Sequence, residues 1–428
     1  MMKKILLAVL VAAGSIIFAN HLAYAAEEEI FTPFYFPYTA ESENWFQPFY
    51  HPLGPEKEKG QWFKPFISVR EEYDDNIFLT RYGNEGDWIT TIQPGFIIQT
   101  GSAKQKHKFI LDYLADINLF ADNNGENNNN HTLNTALQIN LNKIRFDVVN
   151  MFHYFSERSG AEDVGRIDRT QDYIWPSITF NLNKLDLLIG YNYRMEDYRS
   201  DTTIGSFKGQ TLTYEDLDRD EHEGTIETAW KLWPKTSLLC TFDYGKILHD
   251  TGKKSDSDYY DYLVGLRGEP SAKSTGEFRV GFRTQDYEDY GDDFESIVFD
   301  GSWIEKFSSR DFLRLDFKRT TYDTIFQDNA YYESTYTGAD FRHDFTSKLY
   351  GNLGVSYQVN RYPTEATLDN LNDVRRKDDL WSTGVGVGYK FSKDITFDLK
   401  YQYRLRDSNF STYDYRNNRI SFGLRGHF

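Results

Sequence analysis

The chain has 428 residues, and its 65 acidic and 48 basic side chains give a formal net charge of -17 at pH 7. That acidic balance argues against nucleic acid as a partner, and a single cysteine, Cys240, excludes an internal disulfide framework. The mean hydropathy of -0.63 is that of a polar protein, yet 17% of the residues are aromatic.

Residues 1–25 have the features of a secretory signal peptide. Two lysines precede an apolar run at residues 5–18, and Ala-Tyr-Ala at residues 23–25 supplies a small-x-small cleavage site. The run is too short to span a membrane comfortably, and the segment holds no cysteine for a lipid anchor. We predict that the mature chain begins near Ala26.

Residues 26–60 differ in character, because five prolines punctuate a run of aromatic residues. Proline at this density opposes both helix and central strand, whereas disordered segments usually lack aromatics. Two interpretations stay open for this segment. It is either a plug in the lumen or periplasmic mouth of a barrel, or a tether to a periplasmic partner.

From residue 61 to residue 428 the chain repeats an alternating segment, a tight turn, another alternating segment and a longer loop. For example, Phe397, Leu399 and Tyr401 alternate with Asp398 and Lys400. Successive side chains of a strand point to opposite faces, so each segment has one apolar and one polar face. We predict an all-β fold, a transmembrane antiparallel up-and-down outer-membrane β-barrel of about eighteen strands, with sixteen as the alternative count.

The connections fall into two classes. Short ones run from an apolar residue through Asn, Ser or Pro to a basic residue, as at residues 141–143, 182–184 and 391–393, and fit hairpin turns. Long acidic ones are predicted to include residues 362–379 and the Asp- and Tyr-rich stretch 258–262. Short turns at one end and long loops at the other indicate that the turns are periplasmic.

The last segment alternates up to the final residue. An open sheet edge in lipid leaves backbone groups unpaired, so we expect this strand to close against the first one. Phe422, Leu424 and Phe428 lie on its predicted lipid face. A terminal aromatic on such a strand resembles the recognition signal that the barrel-assembly machinery reads, and we predict these three residues as a C-terminal assembly signal.

The polar faces of the later strands carry both signs of charge. Guanidinium groups form two-bond pairs with carboxylates and phosphates, so a basic lumen wall would bind or pass a polyanion such as an acidic polysaccharide. Ladders of Arg and Asp would instead brace neighbouring strands, and both interpretations stay open. The candidate lumen-facing basic residues are Arg279, Arg283, Arg314, Lys318, Arg342, Lys400, Arg404, Arg406, Arg419 and Arg425.

Signals for enzymes and cofactors are poor. Gly384, Gly386 and Gly388 fall on one face of a strand, so they make room in the lumen and do not form a phosphate loop. The histidines lack metal-ligand spacing, and the acidic loops match no calcium-loop spacing. We predict no catalytic, cofactor-binding or metal-binding residues.

The first strand ends in Tyr-Asp-Asp-Asn-Ile at residues 73–77, and the second contains Pro94-Gly95. This pair resembles the start of the putative β-barrel porin type 2 family of outer-membrane proteins. That family tends to show Tyr-Asn-Asp-Asn-Ile, so Asp74 stands in the place of the first Asn. The resemblance implies an outer-membrane barrel, and family members often accompany exopolysaccharide synthesis and export loci. No functional residues carry over with it.

We expect a channel in the outer membrane of a Gram-negative bacterium that exports exopolysaccharide or another polyanion. Carboxylates of the polymer would exchange between inward basic side chains, each held weakly enough to be released. The alternatives are a general diffusion porin and a plugged structural barrel that anchors periplasmic partners. The expected partners are outer-membrane lipid and lipopolysaccharide, the barrel-assembly machinery and polysaccharide-export proteins.

Overall fold

The computed structural model describes residues 63–100, 107–157, 166–199, 203–207, 209–288, 293–324, 326, 329–368 and 371–427. The predicted signal peptide, the segment 26–60 and Phe428 lie outside these ranges. No helix in the described ranges is long and apolar enough to cross a membrane.

Strands dominate the described residues, with three short 3-10 turns at Asn124–Glu126, Tyr214–Leu217 and Ser411–Tyr413. The strands are β1 (Phe63–Asp74), β2 (Asp87–Thr100), β3 (His107–Phe120), β4 (Asn128–Leu141), β5 (Ile144–Glu157), β6 (Ile167–Leu182), β7 (Leu185–Tyr198), β8 (Thr203–Phe207), β9 (Gln210–Thr213), β10 (Arg219–Trp233), β11 (Thr236–His249), β12 (Ser257–Ser271), β13 (Ser274–Tyr287), β14 (Phe294–Lys306), β15 (Asp311–Asp323), β16 (Tyr331–Asp344), β17 (Leu349–Leu368), β18 (Leu371–Lys390), β19 (Ile395–Ser408) and β20 (Tyr415–His427).

Eighteen of these strands form one closed antiparallel sheet. Neighbours in the chain are neighbours in the sheet, β7 pairs with β10, and β20 pairs with β1. Strands β8 and β9 form a separate two-stranded sheet in the connection between β7 and β10. The predicted up-and-down barrel and its count of eighteen strands are confirmed.

Strand β13 illustrates why these sequences form barrel strands. Phe278, Val280 and Phe282 are 46%, 36% and 42% exposed, and Arg279 and Arg283 occupy the alternate positions on the opposite face. A membrane barrel turns its exposed apolar face to lipid. The arginines therefore face the lumen.

The connections separate into a short-turn end and a long-loop end, as predicted. Asn142 and Asn183 have φ of 63° and 62°, the left-handed conformation that two-residue hairpin turns require and that Asn tolerates. Similar short turns join β10 to β11, β12 to β13 and β18 to β19. At the long-loop end, the 3-10 turns lie in the connections β3–β4, β7–β10 and β19–β20.

The first and last strands close the barrel. Backbone pairing between β1 and β20 runs from Phe66 opposite His427 to Asp74 opposite Arg419. On β20, Phe422 and Leu424 are 37% and 52% exposed, so both lie on the outer face. Their predicted role in assembly stays a prediction.

The Tyr-Asp-Asp-Asn-Ile motif adds side-chain contacts at the long-loop end of this closure. The Asp74 carboxylate accepts a hydrogen bond from the Asn417 amide and lies 2.8 Å from the Arg419 guanidinium. The Asp75 carboxylate accepts two hydrogen bonds of 2.6 Å from the backbone and side chain of Asn418. The motif therefore fastens the end of β1 to β20.

Two predicted loops are strands instead. Residues 362–379 continue β17 and β18 as a hairpin with irregular register after Arg361, and residues 258–262 lie within β12. Both predictions were wrong because they assumed that charged side chains in these stretches need contact with water. In each case the wall supplies partners: Asp261 pairs with Arg283 on β13, and the Arg376 guanidinium lies 2.7 Å from a carboxylate two residues along β18.

Candidate functional site

The inner face of the barrel is the candidate functional surface. The ten basic residues predicted from the sequence lie on β13, β15, β16, β19 and β20, at positions that alternate with outward apolar ones. Lys400 is an example, because it lies between Leu399 and Tyr401, which are each 42% exposed.

Carboxylates hold most of the predicted basic residues on β13–β16. Arg283 forms a two-bond pair with Asp261, with distances of 2.7 Å and 2.6 Å. The Lys318 ammonium lies 5.5 Å from the centre of the Tyr322 ring. The other pairs are Arg279 with Glu227 at 2.8 Å, Arg314 with Asp316 at 2.8 Å, and Arg342 with Asp344 at 3.0 Å.

Many ion pairs on β10–β13 connect different strands. Glu227 on β10 accepts contacts of 2.8 Å from both Arg267 on β12 and Arg279 on β13. The Tyr259 hydroxyl on β12 donates to Glu223 on β10 at 2.6 Å. Contacts of this kind stabilise neighbouring strands, so this part of the wall has the arrangement of the bracing interpretation.

A second group of basic residues lies on the adjoining strands β19, β20 and β1. Arg404 and Arg406 are 8% and 2% exposed, and the Arg425 guanidinium lies 5.7 Å from the centre of the Phe66 ring. Acidic residues at inward positions of these strands are fewer: Glu72, Asp74 and Asp398. We name as the basic strip Arg70, Lys400, Arg404, Arg406, Arg419 and Arg425.

The long-loop end of the lumen holds an aromatic cluster around Arg376. Its guanidinium lies 3.6 Å, 4.5 Å and 4.7 Å from the ring centres of Tyr413, Tyr362 and Phe326, within the range of cation–π attraction. The side chains of Arg376 and its ion-pair partner Asp378 are both 0% exposed. Residues from the β15–β16 and β19–β20 connections thus pack here against the β17–β18 hairpin.

Exposure of inward charges changes along the barrel. Near the short-turn end, the side chains of Arg145 and Arg267 are 37% and 43% exposed. At the long-loop end, Arg376 and Asp378 are fully buried and Asn417 is 0% exposed. The two arginines near the short-turn end are thus in contact with water, whereas the Arg376–Asp378 pair is not.

The glycines of β18 make room for wall side chains. A Cβ on Gly388 would lie 2.1 Å from the Tyr350 ring, and one on Gly386 would lie 3.3 Å from the Lys400 stem. Both glycines are buried, whereas Val385, which lies between Gly384 and Gly386, is exposed. The space they leave is occupied by neighbouring residues of the wall.

A sequence profile of the family described as "Putative beta-barrel porin 2" matches residues 47–428. The chain belongs to this family. The match includes every strand of the barrel, so the resemblance of the first two strands is confirmed. With its closed sheet and exposed apolar outer face, the protein is a porin-like barrel of the outer membrane.

Several solved structures match most of the chain at low identity. They include OccAB3 from Acinetobacter baumannii, a BenF-like porin from Pseudomonas fluorescens Pf-5, and Pseudomonas aeruginosa OccK2 (OpdF) in complex with glucuronate. Identities are 13%, 13% and 12%, and TM-scores are 0.43, 0.45 and 0.43. Each match covers 86% of this chain and 99%, 99% and 98% of the other. No curated protein matches the chain. At these identities the similarity concerns the fold alone.

Several basic residues of this porin-family lumen were not predicted from the sequence, among them Arg70 and Arg376. Arg70 lies between Val69, which is 41% exposed, and Glu71 on β1, so the alternation used for the later strands would have found it. Arg376 was hidden in a segment predicted as a loop. Only its contacts with residues remote in sequence identify it.

Proposed function

We propose that this porin-family barrel exports an acidic exopolysaccharide, or a related polyanion, by guided diffusion. The observation that carries the proposal is the basic strip, which runs along three adjoining strands from Arg406 near the long-loop end to Arg425 near the short-turn end. Carboxylates of a polymer would exchange between these side chains. The exposure of Arg145 and Arg267 near the short-turn end supports entry of the polymer from the periplasm.

The test is ion selectivity of the refolded mature protein in planar bilayers. Exchanging Lys400 and Arg425 together for glutamine should lower the anion preference, read from the reversal potential in a KCl gradient. It should also weaken block by polygalacturonate added at the short-turn side. Lys246→Gln is the matched control, because Lys246 lies on the outer face and pairs with Glu288.

Two results would count against export of a polyanion. Conductance without any block by polygalacturonate, and with unchanged selectivity in the double variant, would favour a general diffusion porin. A folded barrel without conductance would favour a structural role. The ion pairs between strands on β10–β13 support that bracing alternative for their part of the wall.

We also propose that residues 26–60 act at the short-turn mouth, because β1 begins at Phe63 and Phe66 pairs with His427 at that end. Deleting 26–60 distinguishes the two predicted roles. A plug gives a silent full-length chain that conducts after truncation. A tether gives equal conductance before and after truncation, with loss of periplasmic partners from pull-downs of the truncated protein.

A further inference from the structure

The junction between β14 and β15 opens towards the long-loop end. Their backbone pairing stops at Phe299 opposite Arg319, although β14 begins at Phe294 and β15 continues to Asp323. Strand β15 stays paired with β16 up to Asp323 opposite Tyr331. Strand β16 in turn stays paired with β17 almost to its own outer end, so the outer ends of β15, β16 and β17 can bend away from β14 together.

The freed end of β15 contacts a strand that is remote along the sheet. The Arg219 guanidinium, at the start of β10, lies 2.9 Å from the Asp323 carboxylate, at the end of β15. Strands β11 to β14 lie between them in the sheet, a path of about 24 Å at about 4.8 Å per strand. Two side chains cannot span that path, so the sheet must curve inward for them to meet.

Further contacts hold the two ends together. His249 Nε2 lies 3.2 Å from the Asp323 carboxylate, and the His249 side chain is 2% exposed. Lys254, 3% exposed in the β11–β12 connection, donates to the Thr324 carbonyl at 2.6 Å. We name Arg219, His249, Lys254 and Asp323 the clasp.

Apolar residues fill the space that the clasp encloses. Phe294 and Val298 of β14 are 2% and 5% exposed and pack with Tyr331 at the start of β16. The Tyr331 ring stacks on Tyr287 of β13, with centroids 5.7 Å apart and an interplanar angle of 7°. The sector of the lumen next to β12–β14 is thus packed at the long-loop end, and passage there is restricted to the rest of the lumen.

We propose that the clasp is a specificity-determining element that sets the size limit of the outer mouth. The inference rests on the proposed channel function. The wall itself is held by its backbone pairing, whereas the clasp is formed by side chains from strands that are not neighbours. Weakening it should let the outer ends of β15, β16 and β17 move back towards β14 and widen the mouth.

The experiment compares single-channel conductance and the exclusion size for polyethylene glycols added at the long-loop side. Asp323→Asn removes the charge that meets Arg219 and His249, and it should raise conductance about two-fold and admit larger polymers. Lys254→Met removes the second contact while leaving the ion pair. Lys254→Met should also raise the conductance and the exclusion size. It replaces Asp323→Asn in the experiment if that variant does not fold.

Asp186→Asn is the matched control, because Asp186 also forms a 2.9 Å ion pair, with Lys231, but near the short-turn end. If the wild type conducts and both clasp variants have the same conductance and exclusion size as the wild type, the clasp is refuted. The proposed channel function is not affected by that result. A silent wild type with a conducting variant would support a clasp that closes the mouth. Silence from all folded variants would overturn both the clasp and the channel.

Discussion

Two strand junctions of this barrel differ in a way that chain connectivity does not explain. Strands β14 and β15 are joined by a short turn, yet they separate at Phe299 and Arg319. Strands β1 and β20 lie at opposite ends of the chain, yet they stay paired to the end of β1 at Asp74. How far two strands pair is decided by the side chains at their ends.

At the β1–β20 closure, short polar side chains bond across the junction. Asn418 N–H donates to the Asp75 carboxylate, and the Asp75 N–H donates to the Asn418 carbonyl at 3.1 Å. At the β14–β15 junction, the longer Arg319 side chain donates to Ser296 and Glu333 instead. Short side chains such as Asn and Asp can bond across a junction only if the two strand backbones lie close together. A long arginine side chain can still reach its partners when the two backbones are separated.

Breaking the closure should have the largest effect. Asp74→Ala would leave the buried donors of Asn417 and the Arg419 guanidinium without their carboxylate, which is expected to lower the free energy of unfolding by about 4 kcal/mol. Urea unfolding from lipid vesicles measures the change. Asp122→Asn, at an exposed position, is the control, and a loss for Asp74→Ala no larger than the control's would show that the motif does not fasten the closure.

Arg376 lies between the two junctions. It contacts Phe326 from the β15–β16 connection and Tyr413 from the β19–β20 connection, so it couples them. Arg376→Met would leave Asp378 buried without its cation, at a cost of about 3 kcal/mol. Urea unfolding should register this loss, and the double variant Arg376→Met/Asp378→Asn should recover part of it. If the double variant is no more stable than Arg376→Met, the loss of stability comes from the missing contacts with the aromatic rings and not from the unpaired charge of Asp378.

Removing the long side chain at the open junction should have a smaller effect. The Arg319 and Glu333 side chains are 27% and 25% exposed, so water screens their attraction in part. Arg319→Gln is expected to cost about 1 kcal/mol, measured by the same unfolding experiment. A loss as large as that of Asp74→Ala would contradict the view that this junction is the weaker one.

The smallest effect concerns acid pH and stays local. Burial tends to raise the pKa of Asp216, but hydrogen bonds from Lys253, Thr213 and Thr251 outweigh it and hold the pKa below its usual range. The stabilisation is therefore present at neutral pH and is lost as the pH falls below about 4. Asp216 anchors the connection that carries Lys254, so amide hydrogen exchange at residues 250–256 should accelerate there.

The rest of the barrel provides the control for that measurement. Exchange at the backbone amides of β20 opposite β1 should stay slow over the same pH range. Asp216→Asn should remove the pH dependence at residues 250–256, because it abolishes the titrating group. Equal acceleration at both places would instead indicate global loss of structure in acid.

Much of the candidate site could be predicted from alternation, because alternation decides which face a side chain occupies. Arg279, Lys400 and Arg425 were placed on the polar face in this way. Their partners could not be predicted: Arg279 meets Glu227 across two intervening strands, and Arg219 meets Asp323 across four. Such contacts depend on the curvature of the sheet, which has no local signal in the chain.

By itself, the sequence determined the barrel, its count of about eighteen strands, the end at which the short turns lie and the face of many side chains. The physical reason is that strand period and turn chemistry act over a few residues. Only the tertiary structure decided that residues 362–379 continue a hairpin, that β14 and β15 separate, and that Arg219 meets Asp323. Those features arise where side chains remote in the chain compete with backbone pairing, and only the closed barrel brings them together.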